Sequence, residues 1–196
     1  MAKQILNIGS SANDGTGTTL RAGGDLINDN FNEIYTTFGD GTTLSVAAIA
    51  IPHKIGGTNF TDSLIVGHST TGTLNQAKAN TAVGVHSLKR VTSGDNNTMI
   101  GYNSGQSITT GRHNTGLGRE SANGITSGLY NINIGYQSGQ NISSGDGNVI
   151  IGSVVNADSA TGDRQLKIVG NDGSTTTTWL SGNSAGLLTI TGGEII

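Results

Sequence analysis

Few residues in this chain have the type and spacing to do chemistry. Asp95 and Asp146 recur in register, three units of 17 residues apart, while Glu120 stands alone. Carboxyls that cleave a glycosidic bond must lie about 5–10 Å apart. Three strand spacings would hold Asp95 and Asp146 about 14 Å apart, so an enzyme is not expected. The histidines, His53, His68, His86 and His113, occupy unrelated positions and show no HxH or HExxH spacing. One histidine from each chain of a symmetric oligomer could still ring a metal on the axis; solvated surface histidines are the plainer reading, and no metal or other cofactor is expected. No GxxxxGK[ST] is present to cradle a phosphate. Two sets are sharper. Tyr102, Arg119 and Tyr136 fall one unit apart, which would stack them as a cation–π ladder able to pack on a sugar; a stabilising ladder or a contact between chains is the alternative. Trp179, the only tryptophan, lies among Thr175, Thr176, Thr177, Thr178 and Ser181. Those hydroxyls could frame a polyhydroxylated ligand around a hot-spot side chain, or the ring could close the last coil.

The elements that position these residues are unusual. Gly 32, Thr 26, Asn 20 and Ser 19 together make 97 of 196 residues, and only 33% of the chain is hydrophobic. A conventional core draws on about 45–50% apolar residues, yet 12% charge is too low for an ordinary disordered chain. Without cysteine there is no disulfide framework or thiolate metal site. No secretory leader pattern opens the chain. The longest apolar run, residues 46–51, is too short for a membrane helix. A net charge of −3 without a basic cluster leaves no footprint for nucleic acid.

A glycine preceded by an aliphatic residue recurs every 17 residues: Val66-Gly67, Val83-Gly84, Ile100-Gly101, Leu117-Gly118, Ile134-Gly135 and Ile151-Gly152. Asn80, Asn97, Asn114, Asn131 and Asn148 stand four positions before the glycine, and Val91, Ile108, Ile125 and Ile142 seven after it. Seventeen extended residues span about 56 Å, enough for one closed coil of short strands. Coils stacked at about 4.8 Å form a parallel β-solenoid or β-roll. Val83, Ile100, Leu117, Ile134 and Ile151 are expected to form one buried ladder, and the Val91 to Ile142 series another. Two such side chains per coil, at about 1.5–3 kcal/mol each, do not offset the entropy of ordering 17 residues. Further burial between chains is expected, through faces such as Val85, Met99 and Ile132.

The ends read differently. Within residues 1–44, Ile27, Phe31, Ile34 and Phe38 follow the 4-3-4 seam of a short coiled coil. Residues 45–62 form a connector, 63–164 the six-unit shaft, and 165–196 a small β cap with three strand signals.

The units NTAVGVHS, NTMIGYNSG and NINIGYQSG resemble the repeats of trimeric adhesin heads, and more closely those of bacteriophage tail-fibre proteins. The stretch ILNIGSSANDGTGTTLRAGGDLINDNFNEIYTTFG is similar to the N-terminal segment of many phage fibre and tail proteins. The resemblance implies a mainly β homotrimer with a β-solenoid, β-roll or β-prism shaft, a short N-terminal helix and a small β tip. It implies a virion fibre on tail, neck or head, joined to other virion proteins by its N-terminus and touching a host surface glycan or protein. A trimeric bacterial adhesin-like protein and a depolymerising tailspike are the alternatives.

Overall fold

The 17-residue period places like positions side by side, and the backbone hydrogen bonds follow it. The Thr81 amide donates to the Asn97 carbonyl at 2.9 Å, and the Gly101 amide to Val83 at 2.8 Å. The computed structural model describes residues 52–191. The expected helix bearing Ile27, Phe31, Ile34 and Phe38, the rest of 1–44, and residues 45–51 and 192–196 lie outside the described residues.

All described regular structure is β: β1 His53–Ile55, β2 Phe60–Thr61, β3 Leu64–Val66, β4 Ala77–Lys78, β5 Thr81–Val83, β6 Thr98–Ile100, β7 Thr115–Leu117, β8 Ile132–Ile134, β9 Val149–Ile151, β10 Leu166–Asn171, β11 Thr176–Gly182 and β12 Leu188–Ile190. One ten-stranded sheet runs β1-β3-β5-β6-β7-β8-β9-β10-β11-β12, and β2 pairs with β4. From β3 to β10 the pairing is parallel, one strand per coil. At the ends the sheet turns antiparallel, β1 against β3, then β11 against β10 and β12 against β11. Residues 165–191 thus continue the shaft's own sheet. Among the described residues no helix is long and apolar enough to cross a membrane.

The glycine after each shaft strand turns the coil where stacked backbones nearly touch. Gly84 and Gly118 have φ of +128° and +132°, and a β-carbon on either would sit 2.5 Å from the carbonyl oxygen of the glycine one coil on. Neither the angle nor the space admits a side chain.

Inside the coil an amide ladder does much of what a thick core does elsewhere. The Asn97 Nδ2 donates to Asn80 Oδ1 at 3.1 Å and to the Gly111 carbonyl at 2.8 Å, while its backbone amide donates to the same Asn80 Oδ1 at 3.1 Å. The pattern repeats through Asn114, Asn131 and Asn148, starts on Ser63 Oγ and ends on Gln165.

Those buried amides correct the expected core. Side chains alternate along a strand; with Asn80 inside, Thr81 points out, Ala82 in and Val83 out. The aliphatic three residues after the asparagine therefore faces outward. Val83, Ile100, Leu117 and Ile134 are 40, 40, 47 and 36% exposed, and Ile151 is only partly buried. The inward residues are Ile65, Ala82, Met99, Gly116, Asn133 and Ile150, so Met99, expected on an outer face, is fully buried, while Val85 and Ile132 are exposed. Val91, Ile108, Ile125 and Ile142 are fully buried. Side-chain sizes trade across the narrow interior. A β-carbon on Gly105 would lie 2.7 Å from Met99 Sδ, and one on Gly139 would run into Asn133 Oδ1.

Candidate functional site

The residue following each corner glycine lies just past the outward end of a strand, which sets Tyr102, Arg119 and Tyr136 one above another. The Arg119 guanidinium lies 5.7 Å from the Tyr102 ring centre and 5.5 Å from that of Tyr136. The expected column therefore forms, and it carries polar groups that spacing did not single out. Arg119 Nη2 donates to Glu120 Oε1 at 3.1 Å, and Gln137 Nε2 donates to Glu120 Oε2 at 2.7 Å. The Gln137 bond, followed by Arg119, holds the Glu120 carboxyl below the usual carboxylate range. Both Glu120 carboxylate oxygens thus accept bonds from side chains of the column.

Asp95 and Asp146 have structural partners. Asp95 Oδ1 accepts the Lys78 amide at 2.9 Å and Asp146 Oδ1 the Leu129 amide at 2.7 Å, each one coil back; Asp163 repeats the bond to Asp146 at 2.8 Å. The carboxylates satisfy backbone donors at a corner where the strand ladder has ended.

Two of the histidines, His68 and His86, meet edge to face with ring centres 6.0 Å apart. His68 is buried; Thr70 donates to its Nδ1 at 3.1 Å, which leaves Nε2 protonated and donating to the Ser87 carbonyl at 2.7 Å. Burial above all holds its pKa below the ordinary imidazole value. His86 lies between the His68 and Tyr102 rings, and His113 stacks on Tyr130 with centres 4.8 Å apart. Among the described residues no three His, Asp or Glu side chains gather as a metal site.

Trp179 is the extra residue of a bulge: Ile168 pairs with Leu180 and Val169 with Thr178. Its ring lies against Gly170, where a β-carbon would come within 2.7 Å of Cη2. The half-exposed ring walls a cleft of about 380 Å³ with Asn171, Asp172, Thr175 and Thr177. Of the expected hydroxyl frame, Thr175 and Thr177 line this cleft; Thr176 accepts Asn171 Nδ2 at 2.8 Å, and Ser181 lines a separate hollow. Asp172 shapes the floor by accepting the Thr175 and Ser174 amides at 2.7 and 2.9 Å, which holds its carboxyl below the usual range. Asn-Asp-Gly at 171–173 is by itself a turn signal; that Gly170 must be bare to seat the indole depends on the strand pairing.

The profile of the family described as bacteriophage T4 gp9/10-like protein, N-terminal, matches residues 3–178. A curated relative, the baseplate wedge protein gp10 of Enterobacteria phage T4, is 56% identical over 39 residues, 20% of this chain and 6% of that protein. The chain therefore spans a small fraction of that relative's length. No solved structure matches.

Proposed function

The chain belongs to the bacteriophage T4 gp9/10-like N-terminal family and is a structural protein of a phage virion; from that premise we propose that it serves as a fibre. Residues 1–44 join other virion proteins, the coils of 63–164 form the shaft, and 165–196 present the tip to the host surface. The working unit is a homotrimer, whose three tips turn weak single-site contacts into avidity. The tip contact is the Trp179 cleft, an indole with two threonine hydroxyls and an asparagine amide, a set suited to a glycan. The Tyr102, Arg119 and Tyr136 column is a second surface of the same kind. The role is mechanical and adhesive, not catalytic.

One observation carries this reading. The shaft is held coil to coil by polar bonds that repeat with the period, Asp95 and Asp146 on backbone amides one coil back and Asn80 to Asn148 on each other. The test compares full-length protein with residues 45–196 for incorporation into particles. The shortened chain should still assemble as trimers and be missing from particles. Normal incorporation of the shortened chain, with loss on removing residues 165–196, would reverse the polarity.

A further inference from the structure

The outward face of the shaft sheet is the largest feature that the fibre reading leaves without a role. By strand register Val66 stands beside Val83, then Ile100, Leu117, Ile134 and Ile151. The column continues through Ile168 and Leu180 to Ile190 on β12. Eight strand spacings make it about 38 Å long. The companion outward row begins Leu64, Thr81, Thr98, Thr115, and passes to Ile132 and Val149. From β3 to β9 neither row contains a charged side chain.

Parallel sheets are almost always covered on both faces, yet here the coil covers only one. An uncharged strip of this length lies at the upper end of what a monomer exposes. Being only two side chains wide, it is narrower than the broad patch a stable two-body contact needs. A narrow strip parallel to the stacking direction suits a common axis on which several copies converge.

We propose that this face is covered by the same face of further copies of the chain, packed parallel and in register around one axis. The inference rests on the trimeric reading above and names the surface that makes it. The pitch selects the occupant: a partner must offer an apolar strip of matching length with a side chain every coil, and this chain is itself such a partner. In register, each Ile or Leu meets its own counterpart, and no charge faces another. The Tyr102, Arg119 and Tyr136 column lies past the corner glycines, where it forms a polar rim beside a dry centre, as interfaces generally have.

The chain's lack of cysteine makes the test direct. Full-length Val83→Cys, Ile134→Cys and Thr110→Cys are prepared; the first two positions lie three coils apart on the strip, and Thr110 lies in an exposed turn outside the sheet. Mass is measured first by light scattering, and each variant is then treated with a short bismaleimide. Linked chains are expected with Val83→Cys and with Ile134→Cys, none with Thr110→Cys, and none between the two strip variants when they are refolded together. A monomeric mass would overturn the trimeric reading itself. A trimer that links only through Thr110→Cys, or through neither strip position, would overturn the strip alone. Linkage between Val83→Cys and Ile134→Cys chains would overturn the parallel register.

Discussion

Replacing Asn114 with alanine removes the central rung of the amide ladder, and its cost can be worked from the bonds. Asn114 Nδ2 donates to Asn97 Oδ1 at 3.1 Å and to the Gly128 carbonyl at 2.8 Å; its Oδ1 accepts the backbone amide and Nδ2 of Asn131, both at 3.0 Å. The residue is fully buried. Four bonds at about 1 kcal/mol each give about 4 kcal/mol. The Asn131 amide and the Gly128 carbonyl are left without these partners, and a buried unsatisfied group costs about 1–3 kcal/mol, so about 4 kcal/mol is the lower part of the range. Asn114→Asp separates the donor from the acceptor role. It keeps the acceptor for Asn131 but sets a carboxylate against Asn97 Oδ1 and the Gly128 oxygen. The folded pKa of that aspartate is therefore raised, and the variant should be more stable below the unfolded carboxylate pKa, losing stability as pH rises through the folded value. Thermal and urea unfolding followed by circular dichroism, with Thr110→Ala as the exposed control, supply the readout. A loss under about 1 kcal/mol for Asn114→Ala, within the range of surface substitutions, would refute the ladder as a principal source of stability.

Gly118→Ala should cost at least about 2 kcal/mol in the same assay, because φ of +132° and the approach to the Gly135 carbonyl both reject a β-carbon. Ile125→Asp, which buries an unpaired charge in a fully buried position, should leave the chain unfolded, with a loss above about 3 kcal/mol. Ile134→Asp should keep the circular dichroism of the folded coil and lose assembly by light scattering. Val154→Asn should raise stability by about 1 kcal/mol, since an exposed β-branched residue at φ 53° occupies a conformation that asparagine tolerates. His68 is held neutral by burial, with a folded pKa below the unfolded one. Its contribution is complete above the ordinary imidazole range and is lost as pH falls through it, so the melting temperature should drop on mild acidification and His68→Gln should flatten that slope.

The period carried most of the fold. Glycines 17 apart with an asparagine at constant offset define a coil whatever fills it, and the parallel register follows from that spacing. What misled was hydrophobicity without parity. Val83 and its successors read as core because they are the coil's most regular aliphatics, whereas the three-residue offset from a buried asparagine places them outside. Polar Asn133 and small Gly116 inside, with Ile134 and Leu117 outside, invert the usual pattern. The Tyr102, Arg119 and Tyr136 column was legible because one position per coil suffices to predict stacking. The Trp179 cleft was only half legible: the hydroxyl-rich strand is visible in the residues, but a bulge that throws the indole over Gly170 depends on pairing between two strands, which no local pattern encodes.

The most direct test of the fibre account is cryo-electron microscopy of purified particles carrying a small tag after residue 196. The account predicts the protein on the particle surface as a three-chain rod, with six coils spanning about 29 Å at the spacing of paired strands and the tag at the outer end. Absence of the chain from purified particles, or a tag pressed against the particle with the coils projecting outward, would contradict it.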